Sequence, residues 1–250
     1  QLKEKLMFKY LNKSSDSLLP IELQNISYNP NNNLIISNLN LTIESKGITV
    51  IMGPNGSGKS VLIRLLHGLL MPTKGLITYG KRNLSKSVRQ NQAMVFQNPV
   101  LLRRSVLANI AFVDSIRQKS GLSICKEILA LLGLDQFQSY PAHLLSAGEK
   151  QRLALARAIV LKPSILFLDE PTANLDPSSI HLIEKILKNA RNAGVKIIFI
   201  SHDINQAKRI ADDIIFIQKG KVLEHTETNI FFKKPQTTET AAYLDGKIIL

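Results

Sequence analysis

The apolar positions of this chain cluster in short runs separated by longer amphipathic stretches. Residues 48–52 (Ile-Thr-Val-Ile-Met) form a nearly continuous apolar run, as expected of a strand buried on both faces. Shorter strand-like runs begin at Ile21 and include residues 39–43. Residues 59–70 place Leu62, Leu65, Leu66 and Leu69 on one face, which predicts a helix ending before Pro72. Residues from about 101 to 160 read as mostly helical. Residues 165–168 (Ile-Leu-Phe-Leu) and 195–200 (Val-Lys-Ile-Ile-Phe-Ile) predict two more buried strands, each preceded by a helix. This alternation points to an α/β fold with a largely parallel sheet. No internal repeat and no low-complexity tract interrupts it. Residues 1 to about 19 read as an extension, polar at Asn12-Lys13-Ser14-Ser15-Asp16-Ser17 and closed by Pro20.

Composition narrows the class. A length of 250 residues fits one compact domain or two small ones, with a core that needs no disulfides. Apolar residues at 44% and charged residues at 20% exclude a disordered or fibrous chain. The single Cys125 excludes a disulfide framework and is compatible with a reducing compartment. No apolar run approaches the ~18 residues of a membrane-spanning helix, and the start, Gln1-Leu2-Lys3-Glu4-Lys5, leads into no secretory signal. The absence of an initial Met is compatible with a fragment or a processed form.

Charge is the unusual figure, with 32 Lys and Arg against 19 Asp and Glu, a net of +13. From Ser45 to Val113 there is no Asp or Glu, while ten basic residues occur there: Lys46, Lys59, Arg64, Lys74, Lys81, Arg82, Lys86, Arg89, Arg103 and Arg104. Such a block faces anions, whether phosphates, nucleic acid or a membrane surface. A merely solvated Lys-rich face would have the same composition.

The chemistry is carried by short motifs. Gly53-Pro54-Asn55-Gly56-Ser57-Gly58-Lys59-Ser60 fits a phosphate-binding loop, placed between a buried strand and an amphipathic helix. Its glycines let the backbone wrap a phosphate chain and aim N–H groups inward, and the helix N-terminus adds partial positive charge. Lys59 would reach the β- and γ-phosphates and Ser60 would ligate Mg²⁺. The apolar run at 165–168 delivers Asp169 and Glu170 to a strand's C-terminal end, where open α/β sheets bind ligands. Asp169 would hold Mg²⁺ through its water shell, and Glu170 would orient the attacking water.

Leu145-Ser146-Ala147-Gly148-Glu149-Lys150-Gln151-Arg152 completes the set. With the loop and the Asp169-Glu170 strand, it makes the chain resemble the ATP-binding subunit of an ATP-binding-cassette (ABC) transporter over about residues 21–225. The resemblance implies a P-loop NTPase core with a mainly parallel sheet, an antiparallel β subdomain and an inserted α-helical subdomain at about 101–160. It divides the chain into an extension (1–19), the ATPase domain (20–225) and a short tail (226–250). It implies that Tyr28 stacks on adenine and that Gly53, Pro54, Asn55, Gly56, Ser57, Gly58, Lys59, Ser60 and Val61 hold ATP. It also implies that Gln97 senses Mg²⁺ and the γ-phosphate, and that His202 contacts the γ-phosphate. Ser146, Gly148 and Asp176 would face the nucleotide bound by a second copy. Metal contacts fall to Ser60, Gln97 and Asp169, and catalysis to Glu170, His202, Gln97 and Lys59. His67, His143 and His225 match no family position.

Ala147 and Glu149 depart from the usual Leu-Ser-Gly-Gly-Gln. Ser146-Ala147-Gly148-Glu149 also reads as a capping box, with Glu149 folding back onto the Ser146 backbone N–H. The resemblance implies a head-to-tail homodimer sandwiching two ATP molecules at the cytoplasmic face of the inner (plasma) membrane. Its partners would be separate permease subunits and, through them, an extracytoplasmic solute-binding protein. Residues 99–110 look like the importer pattern after the glutamine loop. The tail, with Phe231-Phe232-Lys233-Lys234-Pro235 and 241–246, resembles phosphate- and tungstate-type importer subunits. Three other readings use the same residues: an exporter or cell-division ATPase, a nucleic-acid-associated ABC ATPase, and a binding module without turnover. The nucleic-acid reading lacks the coiled coil, zinc cysteines or tandem cassette that those relatives carry, so no nucleic-acid partner is expected.

Overall fold

Fully buried strands organise the chain. The computed structural model describes residues 10–11, 18–44, 47–117 and 119–247. Most of the expected N-terminal extension (1–9 and 12–17), together with Lys46 of the basic block, lies outside the described residues. In chain order the elements are β1 (Ile21–Tyr28), β2 (Ile36–Ile43), β3 (Ile48–Met52), α1 (Lys59–His67), β4 (Lys74–Tyr79), β5 (Arg82–Asn83) and α2 (Lys86–Gln90). Next come β6 (Gln92–Val95), α3 (Val106–Arg117), α4 (Leu122–Leu131), α5 (Ala147–Ile159), β7 (Ile165–Asp169) and α6 (Pro177–Asn192). The chain continues through β8 (Lys196–Ile200), α7 (Ile204–Ile210), β9 (Asp213–Gln218), β10 (Lys221–Glu227), α8 (Thr228–Lys233) and α9 (Thr238–Leu244).

These elements form two units. The first contains residues 18–90 and 196–247. In it, β3 pairs in parallel with β8 on one side and β9 on the other, and β10 adds an antiparallel edge to β9. Strands β3, β8 and β9 are buried at every position, which matches the continuous apolar runs of the sequence. The same unit carries an antiparallel sheet in the order β2-β1-β4-β5. There β2 alternates buried and exposed residues from Leu39 to Ile43, as a sheet with one solvated face requires.

The second unit contains residues 91–195 with Tyr10 and Leu11. Strands β6 and β7 pair in parallel, and α5 packs against β6, α3, α4 and α6. The α/β class with a mainly parallel core, an antiparallel sheet and a helical segment is therefore the one observed. One detail of the helix prediction is corrected: α1 ends at His67 rather than Leu70. Gly68 adopts the left-handed conformation (φ 80°) and returns its N–H to the carbonyls of Arg64 and Leu65, so Leu69 leaves the apolar face and is 50% exposed.

The first unit encloses a buried polar cluster. Lys196 Nζ donates to Thr49 Oγ1 at 2.6 Å and lies 3.8 Å from Asp213, while Thr49 Oγ1 donates to Asp213 at 2.8 Å. His225 Nε2 sits 2.6 Å from Asp213 Oδ2, which gives this histidine a structural place. Burial pushes the Lys196 ammonium below its ordinary pKa, with Asp213 and Asp212 opposing. Burial raises the pKa of the Asp213 carboxyl, but His225, Lys196 and Thr49 outweigh it and hold the group below the ordinary carboxylate range.

Asp213 thus contributes stability that is present above the unfolded carboxylate pKa and lost as pH falls through its lowered folded value. Asp213→Asn strands the Lys196 charge and is expected to destabilise the fold by about 3–5 kcal/mol. Lys196→Met is expected to have a smaller effect, because Asp213 keeps His225 and Thr49. Urea unfolding of both variants checks the difference, and equal losses would contradict it.

Candidate active site

The phosphate-loop sequence leaves the C-terminal end of β3 and runs into α1. Gly53 is required there by close approach: a Cβ would stand 2.0 Å from the Ile217 carbonyl oxygen on neighbouring β9. α1 then starts from Gly58, whose φ of 104° is left-handed, with no side-chain cap and no acidic residue in its first turn. Neither the cap position nor the first turn itself therefore sets an acceptor side chain against this helix start. Lys59 is buried at 6% exposure and folds back, donating from Nζ to the carbonyls of Gly53 and Pro54 at 2.8 Å each. The Ser57 hydroxyl is buried with no hydrogen-bond partner among the described residues. A backbone cradle, an ammonium and an unsatisfied hydroxyl at an uncapped helix start fit a bound phosphate chain. Ser60 and Val61 follow in the first turn of α1.

The same unit places two further residues at this strand edge. Ile51 is in register with Ile200, and Ser201 N–H donates to the Ile51 carbonyl at 3.3 Å. His202 therefore lies just past the end of β8 as Gly53 lies just past β3, and it is exposed. Asp203 caps α7 by accepting from Gln206 N–H. Tyr28 closes β1, followed by Asn29, whose N–H donates to Thr73 Oγ1 at 3.0 Å.

In the other unit, register again sets the geometry. Val95 of β6 pairs with Leu168 of β7, so Gln97 and Glu170 emerge side by side, each two residues further on. Gln97 Nε2 donates to Glu170 Oε2 at 3.3 Å. Asp169 ends β7 with only 4% exposure, and Glu170 turns the chain in the left-handed region, at φ 46°. A non-glycine residue held there carries local strain, which is characteristic of functional sites.

The capping box predicted at Ser146 is present. Glu149 N–H donates to Ser146 Oγ at 3.3 Å, and Ser146 N–H donates to Glu149 Oε2 at 2.8 Å. The Glu149 charge is thus turned back onto its own helix end instead of projecting past Ser146. Asp176 caps α6, accepting from the Ser178 hydroxyl and from Ser179 N–H at 2.9 Å. Those two serines hold its carboxyl well below the ordinary carboxylate range.

Three contacts of this segment were not read from the sequence. Gln151 Nε2 donates to the Phe96 carbonyl at 3.1 Å, fixing the residue before Gln97. Arg152 Nη1 donates to Ser179 Oγ at 3.1 Å. Gly148 packs so close to Ser179 that a Cβ would stand 2.4 Å from its hydroxyl. Only the short spacing from Ser146 hinted at the first two, since Gln151 and Arg152 follow it on one helix.

A glycine loop leading from a buried parallel strand into an uncapped helix, in a chain that carries a strand ending in paired carboxylates, defines the P-loop ATPase class. Comparisons with known proteins make that class specific. The ABC transporter family model matches residues 36–173. The tungstate uptake system ATP-binding protein TupC of Peptoclostridium acidaminophilum is 39% identical over 210 residues, covering 82% of this chain and 98% of that protein. The phosphate import ATP-binding protein PstB of Mycoplasmoides gallisepticum is 33% identical over 93% of this chain and 77% of its own length. Among solved structures, cbiO1 from Clostridium perfringens, part of the ABC transporter complex cbiONQ, superposes with a TM-score of 0.76 at 28% identity. That match covers 88% of this chain and 93% of the other.

The chain belongs to the ABC transporter family, as an ATP-binding subunit that hydrolyses ATP. Among its described residues no helix is long and apolar enough to cross a membrane.

The capping box is directly testable. Glu149→Gln preserves the reciprocal bond and should leave ATPase activity within about threefold of the parent, whereas Glu149→Ala should lower stability by about 1 kcal/mol. Chemical denaturation and phosphate release measure the two effects. A gain of orders of magnitude in ATP-driven pairing for Glu149→Gln would show that the Glu149 charge acts on the nucleotide instead.

Proposed function

We propose that this chain powers a membrane importer of a small solute, with an oxyanion such as tungstate or phosphate as the cargo class. The observation that carries the hydrolytic part is the Gln97–Glu170 contact, which the β6–β7 register builds at the end of a strand bearing a second carboxylate. The names of the relatives support the importer part: they include tungstate and phosphate systems as well as methionine and glutamine import proteins.

In this reading the triphosphate of ATP lies in the 53–60 loop at the start of α1, and Tyr28 stacks on the adenine. Lys59 Nζ leaves the Gly53 and Pro54 carbonyls for the β- and γ-phosphate oxygens. Ser57, with its unsatisfied hydroxyl, and the first N–H groups of α1 complete the cradle. In one unit Ser60 offers a hydroxyl, and in the other Asp169 and Gln97 offer carboxylate and amide oxygens, each a hard donor of the kind Mg²⁺ takes. Bound with the nucleotide, Mg²⁺ supplies charge neutralisation at the phosphate oxygens. Glu170 orients the attacking water and takes up its proton at a carboxylate oxygen. Gln97 keeps Glu170 aligned, and His202 faces the γ-phosphate from the end of β8.

Ser146, Gly148 and Asp176 stand at two other helix starts and face the nucleotide held by a second copy, so the working form is a head-to-tail homodimer. Closure on ATP and reopening after hydrolysis drive separate permease subunits at the cytoplasmic face of the membrane, and a solute-binding protein delivers cargo to them. Arg103 and Arg104, exposed shortly after Gln97, are basic residues suited to acidic permease loops or anionic headgroups.

Glu170→Gln is expected to keep ATP affinity within about threefold and to lower turnover by about 100-fold or more. Nucleotide-binding titration and phosphate release measure this pair of values; undiminished turnover would remove Glu170 from the role. For cargo, the chain co-purified with its permease and binding protein should show ATPase stimulation by tungstate or phosphate. Stimulation by an amino acid instead would reassign the substrate class.

A further inference from the structure

We propose that Ser179 is a positioning residue for ATP hydrolysis, joining the first turn of α5 to the first turn of α6. This makes Ser146–Glu149 and Asp176–Ser179 a single body facing the partner-bound nucleotide. The inference rests on the head-to-tail reading and adds to it the part that holds these two segments together.

Ser179 sits three residues after the Asp176 cap, and its N–H is spent on that carboxylate. Its hydroxyl also lies beside the Asp176 carboxylate, and it accepts from Arg152 Nη1 at 3.1 Å. Arg152 is four residues after Gly148, so both occupy the same face of α5. Gly148 lets that face approach: the position of its missing Cβ lies 2.4 Å from Ser179 Oγ and 3.1 Å from Ser179 Cβ. The contact is part-buried, with Ser179 only 5% exposed. Arg152 Nε is also buried and has no partner among the described residues, so the bond to Ser179 is the one side-chain hydrogen bond Arg152 makes among them. Removing the Ser179 hydroxyl therefore leaves the guanidinium without its acceptor, in a place where water reaches it poorly.

Packing and hydrogen bonding thus coincide on one side chain. Ser146 and Glu149 are locked to each other, as are Asp176, Ser178 and Ser179, and Ser179 is the link between these two capped turns. A small displacement of one helix start is carried to the other through a contact that has no room to shear. The two segments then reach a partner's nucleotide together or not at all.

The test uses the full-length Glu170→Gln chain, whose ATP-dependent pairing is followed by sedimentation velocity. Ser179→Ala in that background should weaken pairing about tenfold or more, while nucleotide affinity of the unpaired chain stays within about twofold. In the otherwise unmodified chain, Ser179→Ala should lower kcat by a similar factor with KM for ATP nearly unchanged. Ser179→Thr, which keeps the acceptor oxygen, should restore most of both. Arg152→Met provides an independent arm: it should reproduce the pairing defect, and the double variant should be no worse than either single one. Pairing and turnover of Ser179→Ala within twofold of the parent would overturn the proposal, as would a defect in Arg152→Met that adds fully to that of Ser179→Ala. If Glu170→Gln itself fails to pair with ATP, the head-to-tail reading falls, which is a separate result from a Ser179 variant that pairs normally.

Discussion

The phosphate half of this protein depends on a helix whose first turn lacks a side-chain cap of its own. α5, α6, α7 and α9 each begin with a side chain that accepts a first-turn N–H: Ser146, Asp176, Asp203 and Thr237. α1 begins at Gly58 with none, and without an acidic residue in its first turn. A helix start with no capping side chain of its own is suited to an anion, and a phosphate is its natural complement. The rest of the loop follows from this constraint. The buried β3 strand aims the chain at the site, Gly53 passes within touching distance of the Ile217 carbonyl, and Lys59 is held close by carbonyls it can exchange for phosphate oxygens.

The other unit uses the same device with the opposite sign of preparation. Its helix starts at Ser146 and Asp176 are capped by their own chain. Such ends are suited to contacting a nucleotide already seated elsewhere. The acid-free block from Ser45 to Val113 fits this picture, because it spans the uncapped helix and the segment around Gln97. Some of its charge has local work: Lys59 closes the loop, and Arg104 lies over the Phe112 ring at 5.7 Å.

Strand runs were legible because burial on both faces leaves a continuous apolar string, and β3, β7 and β8 are buried throughout. The Ser146–Glu149 capping box was legible because both partners lie within four residues. The end of α1 was misjudged because Leu69 continues the apolar spacing while Gly68 has already stopped the helix. The contact of Gln97 with Glu170 was not read from the sequence: 73 residues separate them, and strand register, invisible in periodicity, brings them together. Ser179 left no signal, and Arg152 only its short spacing from Ser146, since each alone reads as an ordinary polar residue on a helix, and Gly148 read as motif glycine without its packing reason. Asp213, Thr49 and Lys196 were hidden for the same cause, their contact being a matter of neighbouring strands.

The central claim is that one site is built from the α1 loop of one copy and the Ser146 turn of another. Mixing two inactive chains tests it most directly: Lys59→Ala, with an intact Ser146 turn, and Ser146→Arg, with an intact loop. In a symmetric two-site dimer, an equimolar mixture should regain about a quarter of the unmodified ATPase activity, because half of the dimers are mixed and each has one complete site. Activity that stays at the average of the two inactive chains would contradict the account.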